Sequence, residues 1–209
     1  MFANLSGSEI AFFLLSLIIA MAVHEAMHGY VAHWLGDNTA AEAGRLTLNP
    51  LKHKDLFTTI LLPTVMILSG LPPLLIAKPV PFNPHRLKYD EFGAALVGIA
   101  GPVTNLALAG LAAIVFRIWG AHLSSLAFEG VVIFAEVNIA LFIFNMIPFP
   151  PLDGSRLLYA FAPEPLQELM QRIEGFGFLG ILAFFFLIFQ FVSGPIVNIE
   201  TSILKFLLG

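Results

Sequence analysis

The sequence predicts an all-α polytopic membrane protein, on three observations. Of 209 residues, 58% are hydrophobic and only 11% are charged, about half the charge of a soluble domain of that length. The mean hydropathy is +0.87. Several apolar runs are too long for the core of a small soluble protein. The expected architecture is about four transmembrane helices, a re-entrant or β-hairpin-like element, and interfacial helices. These form one membrane-embedded domain over residues 1–209, with a core at about 9–160 and C-terminal helices at about 161–209.

The elements follow in order. A first helix is expected from about Glu9 to about Leu35, through "AFFLLSLIIAMAV". Ser8 is its expected N-cap, and Gly36, Asp37 and Asn38 are its stop signals. The leading "MFANLSGSE" has no basic region and no Ala-x-Ala site. The first apolar run therefore reads as a retained helix rather than a signal peptide. After the polar "TAAEAGRLTLNPLKHKD", residues 56–77 are apolar but broken by Pro63, Gly70, Pro72 and Pro73. Such a stretch predicts a re-entrant or hairpin element whose backbone is covered by protein. The proline-rich "KPVPFNPHRLKYDE" links it to a second span, from about Phe92 to Trp119. The turn "GAHLSSLAFEG" precedes a third span, from about Val131 to Met146. "APEPLQELMQRIEG" is amphipathic and interfacial, residues 176–194 form a fourth span, and the tail "PIVNIETSILKFLLG" is an interfacial helix.

The charge pattern narrows function and sets orientation. A net charge of −4 without a basic block offers nothing to nucleic acid. The absence of cysteine excludes disulfides, thiol nucleophiles and Cys-ligated metals. Arg45, Lys52, Lys54, Lys78, Arg86 and Lys88 all lie between spans one and two, and Arg156 and Arg172 follow span three. The opposite side has only Arg117 and Lys205. The positive-inside rule makes the first link cytoplasmic and puts both termini outside, in a multi-pass protein of the cytoplasmic membrane.

Chemistry concentrates in "MAVHEAMHGY" (21–30). Ionisable groups in a span cost up to several kcal/mol each, about 2.5–3.5 on insertion scales, and mark function. His24 and His28 are four residues apart, so their imidazoles leave one helix face about 40° apart. Two neutral imidazoles at that spacing can take two corners of a tetrahedral zinc. Glu25 completes the His-Glu-x-x-His pattern of zinc hydrolases, in which the glutamate is the general base. A third ligand is needed. His33 points about 140° away round the helix, and Trp34 stands where the metzincin spacing wants histidine. Glu42 would have to fold back. His53, Asp55 and His85 lie in the polar link, and His122 lies on the opposite side. Asp153 is the better candidate. It arrives at the cytoplasmic side after the third span, while His24 lies about 15 residues, or roughly 22 Å, into the first. Pro148, Pro150 and Pro151 break the chain before it, and the freed backbone groups need partners or a water-filled cavity.

"HEAMH" followed by "NMIPFPPLDG" resembles the site-2 protease family of intramembrane zinc metalloproteases. "GRLTLNPLKHKD", "AKPVPFNP" and "GPVTN" are similar to its short prokaryotic branch, which lacks a PDZ domain. The resemblance covers about Ala22 to Leu158, with Leu56 standing where that branch usually has proline. It implies one zinc per chain held by His24, His28 and Asp153, with Glu25 activating the attacking water. It also implies that Asn145 supports the developing oxyanion, as a side-chain amide in a dry site can. Asn105 either lines the site or bonds between helices, while Gly98, Ala100 and Gly101 permit close packing. The implied function is regulated intramembrane proteolysis. Its expected partners are the lipid bilayer and single-span or signal-anchor substrates, paired as an extended strand with a β-like edge formed by residues 56–77 and "KPVPFNP". The alternative is a non-proteolytic metal-binding scaffold or transporter. A transporter would spread its polar residues along a path and often carries repeats.

Overall fold

A computed structural model describes residues 6–52, 79–184 and 189–209. The chain starts with helix α1, Gly7–Trp34. Its N-cap is Ser6, not Ser8. Ser6 Oγ accepts the Glu9 N–H at 3.2 Å while Glu9 Oε2 accepts the Ser6 N–H at 2.6 Å. Glu9 falls three residues after Ser6, which permits this reciprocal capping box. At the other end Gly36 adopts φ 105°. Its N–H donates to His33 O at 3.0 Å and that of Asp37 to Ala32 O at 2.9 Å, the Schellman closure for which glycine is suited.

Helix α2 is the short Thr39–Glu42. Helix α3, Asp90–Trp119, runs into a 3-10 turn at Gly120–His122. Helix α4 is Ser125–Asn145. It starts about six residues before the expected boundary because Ser124 caps it, its Oγ accepting the Ala127 N–H at 3.3 Å. Then come α5, Gly154–Phe161, and α6, Glu164–Gly175, where the amphipathic stretch was expected. Helices α7, Phe178–Ala183, and α8, Phe189–Leu208, complete the described chain.

No strand occurs among the described residues. The expected re-entrant element at 56–77 lies outside them, as do residues 185–188 within the expected fourth span. Among the described residues three helices are long and apolar enough to cross a membrane: α1, α3 with its 3-10 extension, and α4. The tail is continuous with residues 189–194 in one helix rather than separate from them. Helix α8 packs Ile196, Ile203, Leu204 and Leu207 around Ala109, Ile139 and Ile143. Arg117 donates to the carbonyls of Leu207 and Phe206, at 2.7 and 2.6 Å, at its C-terminal end.

Helices α1, α3 and α4 pack against one another. The buried face of α3 is mostly small residues, among them Gly93, Ala94, Gly98, Gly101, Ala109 and Ala112, with Val97, Pro102 and Asn105 between them. Lipid is as apolar as leucine, so close backbone approach and polar contacts drive association here. Leu14, Leu15 and Ile18 of α1 and Leu111, Ile114 and Ile118 of α3 stay exposed on the outside. That distribution is costly in water and suited to a bilayer.

Candidate metal centre

The close α1–α3 approach brings distant polar groups together. His24 and His28 leave α1 on one buried face, toward α3. Asp153 comes from the turn between α4 and α5, and Gly154 permits that turn. A Cβ at Gly154 would lie 2.4 Å from Met146 O, so only glycine lets the returning chain sit on the end of α4. His24 Nε2 and Asp153 Oδ2 are 3.0 Å apart, His28 Nε2 and Asp153 Oδ2 3.4 Å, and the two Nε2 atoms 3.0 Å. Their ligand atoms form a group that could hold a metal ion.

The other ring nitrogens fix what this group offers. His28 Nδ1–H donates to Val97 O at 2.6 Å. His24 Nδ1–H donates to Asn105 Oδ1 at 2.5 Å. Asn105 Nδ2 donates to Asn138 Oδ1 at 3.0 Å and lies 3.4 Å from Ala20 O, and Asn138 Nδ2 donates to Phe134 O at 2.8 Å. Both rings thus carry their proton on Nδ1, and both Nε2 lone pairs face the carboxylate. With both imidazoles neutral these are three acceptor atoms with no donor among them, and a metal ion or an added proton between them relieves the repulsion. Metal-binding histidines are oriented by hydrogen bonds of this kind. Zinc bonded at about 2.0–2.2 Å in a tetrahedron spaces its ligand atoms about 3.3–3.6 Å apart, close to the 3.0–3.4 Å found. The residues present fit zinc.

Helix α3 leaves room for that ion by having no side chain at the point of contact. A Cβ at Gly101 would lie 2.5 Å from His28 Nε2 and 2.6 Å from His24 Nε2.

Glu25, part-buried beside His24, accepts the Val80 N–H on Oε2 at 2.9 Å. Asn145 is the last residue of α4, and its Nδ2 donates to Leu141 O one turn back, at 2.9 Å. Glu42 is exposed and pairs with Arg86 at 3.5 Å. His33, His85 and His122 are exposed, and His53 and Asp55 lie outside the described residues.

Asn105 both touches the site and bonds between helices. Sequence reasoning missed Asn138. A usable signal existed: Asn138 is a lone amide in an apolar run, and seven residues, about two turns, put it on the face of Asn145. Asp37 and Val80 were missed as well. Asp37 is buried, with Oδ2 accepting the Asn83 N–H at 2.6 Å and Oδ1 accepting the Thr39 N–H and Oγ–H at 3.0 and 2.5 Å. Burial alone would raise its carboxyl. The bonds from Thr39 and Asn83, with the charge of Arg86, override this and hold it below the ordinary carboxylate range.

Comparison with known proteins places the chain. It is 35% identical over 207 residues to "Putative zinc metalloprotease YwhC" of Bacillus subtilis, an alignment covering 95% of this chain and 91% of that protein. It is 26% identical over 171 residues to "Putative zinc metalloprotease Rip2" of Mycobacterium tuberculosis, covering 80% of this chain and 64% of that longer protein. The Rip2 of Mycolicibacterium smegmatis is 27% identical over 165 residues, covering 78% of this chain and 61% of that protein. No family model and no solved structure matches. With relatives named zinc metalloproteases and a three-residue group fit to bind the ion, zinc is the cofactor.

Proposed function

The chain belongs to the site-2 protease family of zinc metalloproteases, and on that premise we propose that it is an endopeptidase cutting transmembrane segments of other membrane proteins. One observation carries the reading: His24 and His28 sit on α1, a helix apolar enough to cross a membrane, and Asp153 meets them from the turn that follows a second such helix, α4. A metalloprotease acting only on soluble peptides has no need to place its metal ligands on a spanning helix.

His24 and His28 would hold zinc through Nε2 and Asp153 through Oδ2. Zinc in such a site polarises a carbonyl and lowers the pKa of water to about 7. Glu25 takes a proton from the attacking water and returns it to the leaving amine. Oε1 is the oxygen for this task, since Oε2 accepts the Val80 N–H. A side-chain amide carries two N–H donors. Asn145 gives one to Leu141 O and presents the other to the oxyanion. The helical substrate must unwind first, because its carbonyls are hydrogen-bonded along its own axis. Single-span or signal-anchor proteins supply such segments. The site opens toward the cytoplasmic side of the cell membrane and the termini lie outside.

Glu25→Gln tests this. The protein should fold in detergent and keep its zinc, while cleavage of a single-span reporter falls about 10²–10⁴-fold. Cleavage at the wild-type rate would exclude Glu25 as the base and sink the mechanism. A soluble peptide cut as well as the reporter would remove the intramembrane part of the reading alone.

A further inference from the structure

Two observations outside the metal centre meet on one segment, the strap Pro79–Asn83. At one end the Val80 N–H holds Glu25 Oε2 at 2.9 Å. At the other the Asn83 N–H is held by Asp37 Oδ2 at 2.6 Å. Between them the strap lies along α1. Val80 is buried, and its Cγ1 would be 3.3 Å from a Cβ on Gly29, one turn after Glu25. Phe82 packs on the cluster of Ala32, Leu87, Ala94 and Val97, with the Arg156 guanidinium 5.7 Å above its ring. The Lys88 N–H donates to Leu35 O at 2.8 Å and closes the segment onto the end of α1.

We propose that Asp37 is a positioning residue for the reaction: it pins the strap to the end of α1, and the strap in turn fixes the carboxylate of Glu25. This rests on the reading of Glu25 as the base. Closing the turn after α1 needs one acceptor, and Oδ1 supplies it to Thr39. Asparagine or serine would serve there. The second oxygen reaches a residue 46 positions on. A carboxylate with 0% exposure is an expensive way to end a helix. It is a suitable way to tie two segments through charge-assisted bonds. A free glutamate side chain samples several rotamers. One oxygen held by a fixed N–H leaves the other in a defined place, and misplacing a reacting group by about 1 Å costs about 100-fold.

The test uses the full chain in vesicles with a single-span reporter. Asp37→Asn keeps the volume and loses an acceptor. Asp37→Ser keeps an acceptor for Thr39 and cannot reach Asn83. Both should lower kcat about 10- to 100-fold with KM and zinc content little changed, and hydrogen exchange at the Val80 amide should accelerate. Thr39→Val, which leaves the Asn83 bond intact, should cleave at close to the wild-type rate. In a Glu25→Gln background, Asp37→Asn should have almost no further effect, as expected when one residue acts through the other. An undiminished kcat overturns the proposal, as does a rise in kcat, which would make the strap a block. An equal loss in the Glu25→Gln background, or unfolding of both Asp37 variants, makes Asp37 merely structural. If Glu25→Gln itself cleaves normally, the protease mechanism fails first and the Asp37 result is read as structure.

Discussion

Gly101→Ala adds one methyl group at the point where α3 crosses the two imidazoles. In most helix interiors this change stabilises, by about 0.5–1 kcal/mol. Here the new carbon would stand 2.5 Å from His28 Nε2 and 2.6 Å from His24 Nε2. Ordinary carbon–nitrogen contact is about 3.5 Å, so the overlap is close to 1 Å on both ligand atoms at once. The rings have little room to retreat, because Val97 O holds one at 2.6 Å and Asn105 Oδ1 the other at 2.5 Å. Overpacking of this kind costs about 1–3 kcal/mol, which is roughly 5- to 150-fold in zinc affinity. Competition with a chelator of known affinity measures it, and the visible spectrum of the cobalt-substituted protein reports ligand geometry directly. Gly110→Ala on the same helix is the control, since a Cβ there meets nothing within 4 Å. It should bind zinc like the wild type. Wild-type zinc affinity and an unaltered cobalt spectrum in Gly101→Ala would show that the two Nε2 atoms are not the ligands, and the site as drawn would fail.

Asn105→Leu removes the acceptor that sets the His24 ring, and zinc affinity should fall about 10- to 100-fold, while Glu42→Ala leaves it unchanged. Acid should act on Asp37, whose carboxyl lies below its ordinary value of 3.8. A lowered folded-state pKa stabilises the fold above the unfolded value and fades as pH falls from there toward the folded one. The stability gap between wild type and Asp37→Asn should be steady above about pH 5 and narrow below about pH 4; a gap unchanged down to pH 3 counts against the Asp37 bonds. In this Cys-free chain, Lys88→Cys should label from the cytoplasm and Ser124→Cys from outside, and labelling on one side would break the orientation.

What the sequence disclosed was set by distance along the chain. The His24/His28 spacing is a property of one helix turn, and the long apolar runs of α1, α3 and α4 are local compositions. Both could be read without a fold. The Ser6 capping box was equally local and was overlooked in favour of Ser8, although Glu9 at the third position pointed to Ser6. The start of α4 was misplaced because Glu129 and Gly130 look like turn residues, yet the Ser124 cap and the surrounding apolar side chains keep them helical. The Asn105–Asn138 pair spans 33 positions and the Asp37–Asn83 tie 46. No periodicity links such residues, and only the packing of α3 and of the strap reveals them.

The polar groups buried among these helices form one directed chain. Asn138 donates to Phe134 O, Asn105 to Asn138, and His24 to Asn105. Every proton in the series points away from the centre, as does the one His28 gives to Val97 O. In an apolar surrounding an unsatisfied buried polar group costs about 1–3 kcal/mol by mutational measures. A network so arranged gathers its unmet demand at one place, the three atoms Nε2, Nε2 and Oδ2. Had Asn105 been leucine, His24 would be free to turn its proton inward and hydrogen-bond Asp153 directly, and the need for a cation would drop. The amides therefore do more than join helices. By fixing tautomers they leave Nε2, Nε2 and Oδ2 as a set that could hold a metal ion, and they tie that set to the packing of α1, α3 and α4.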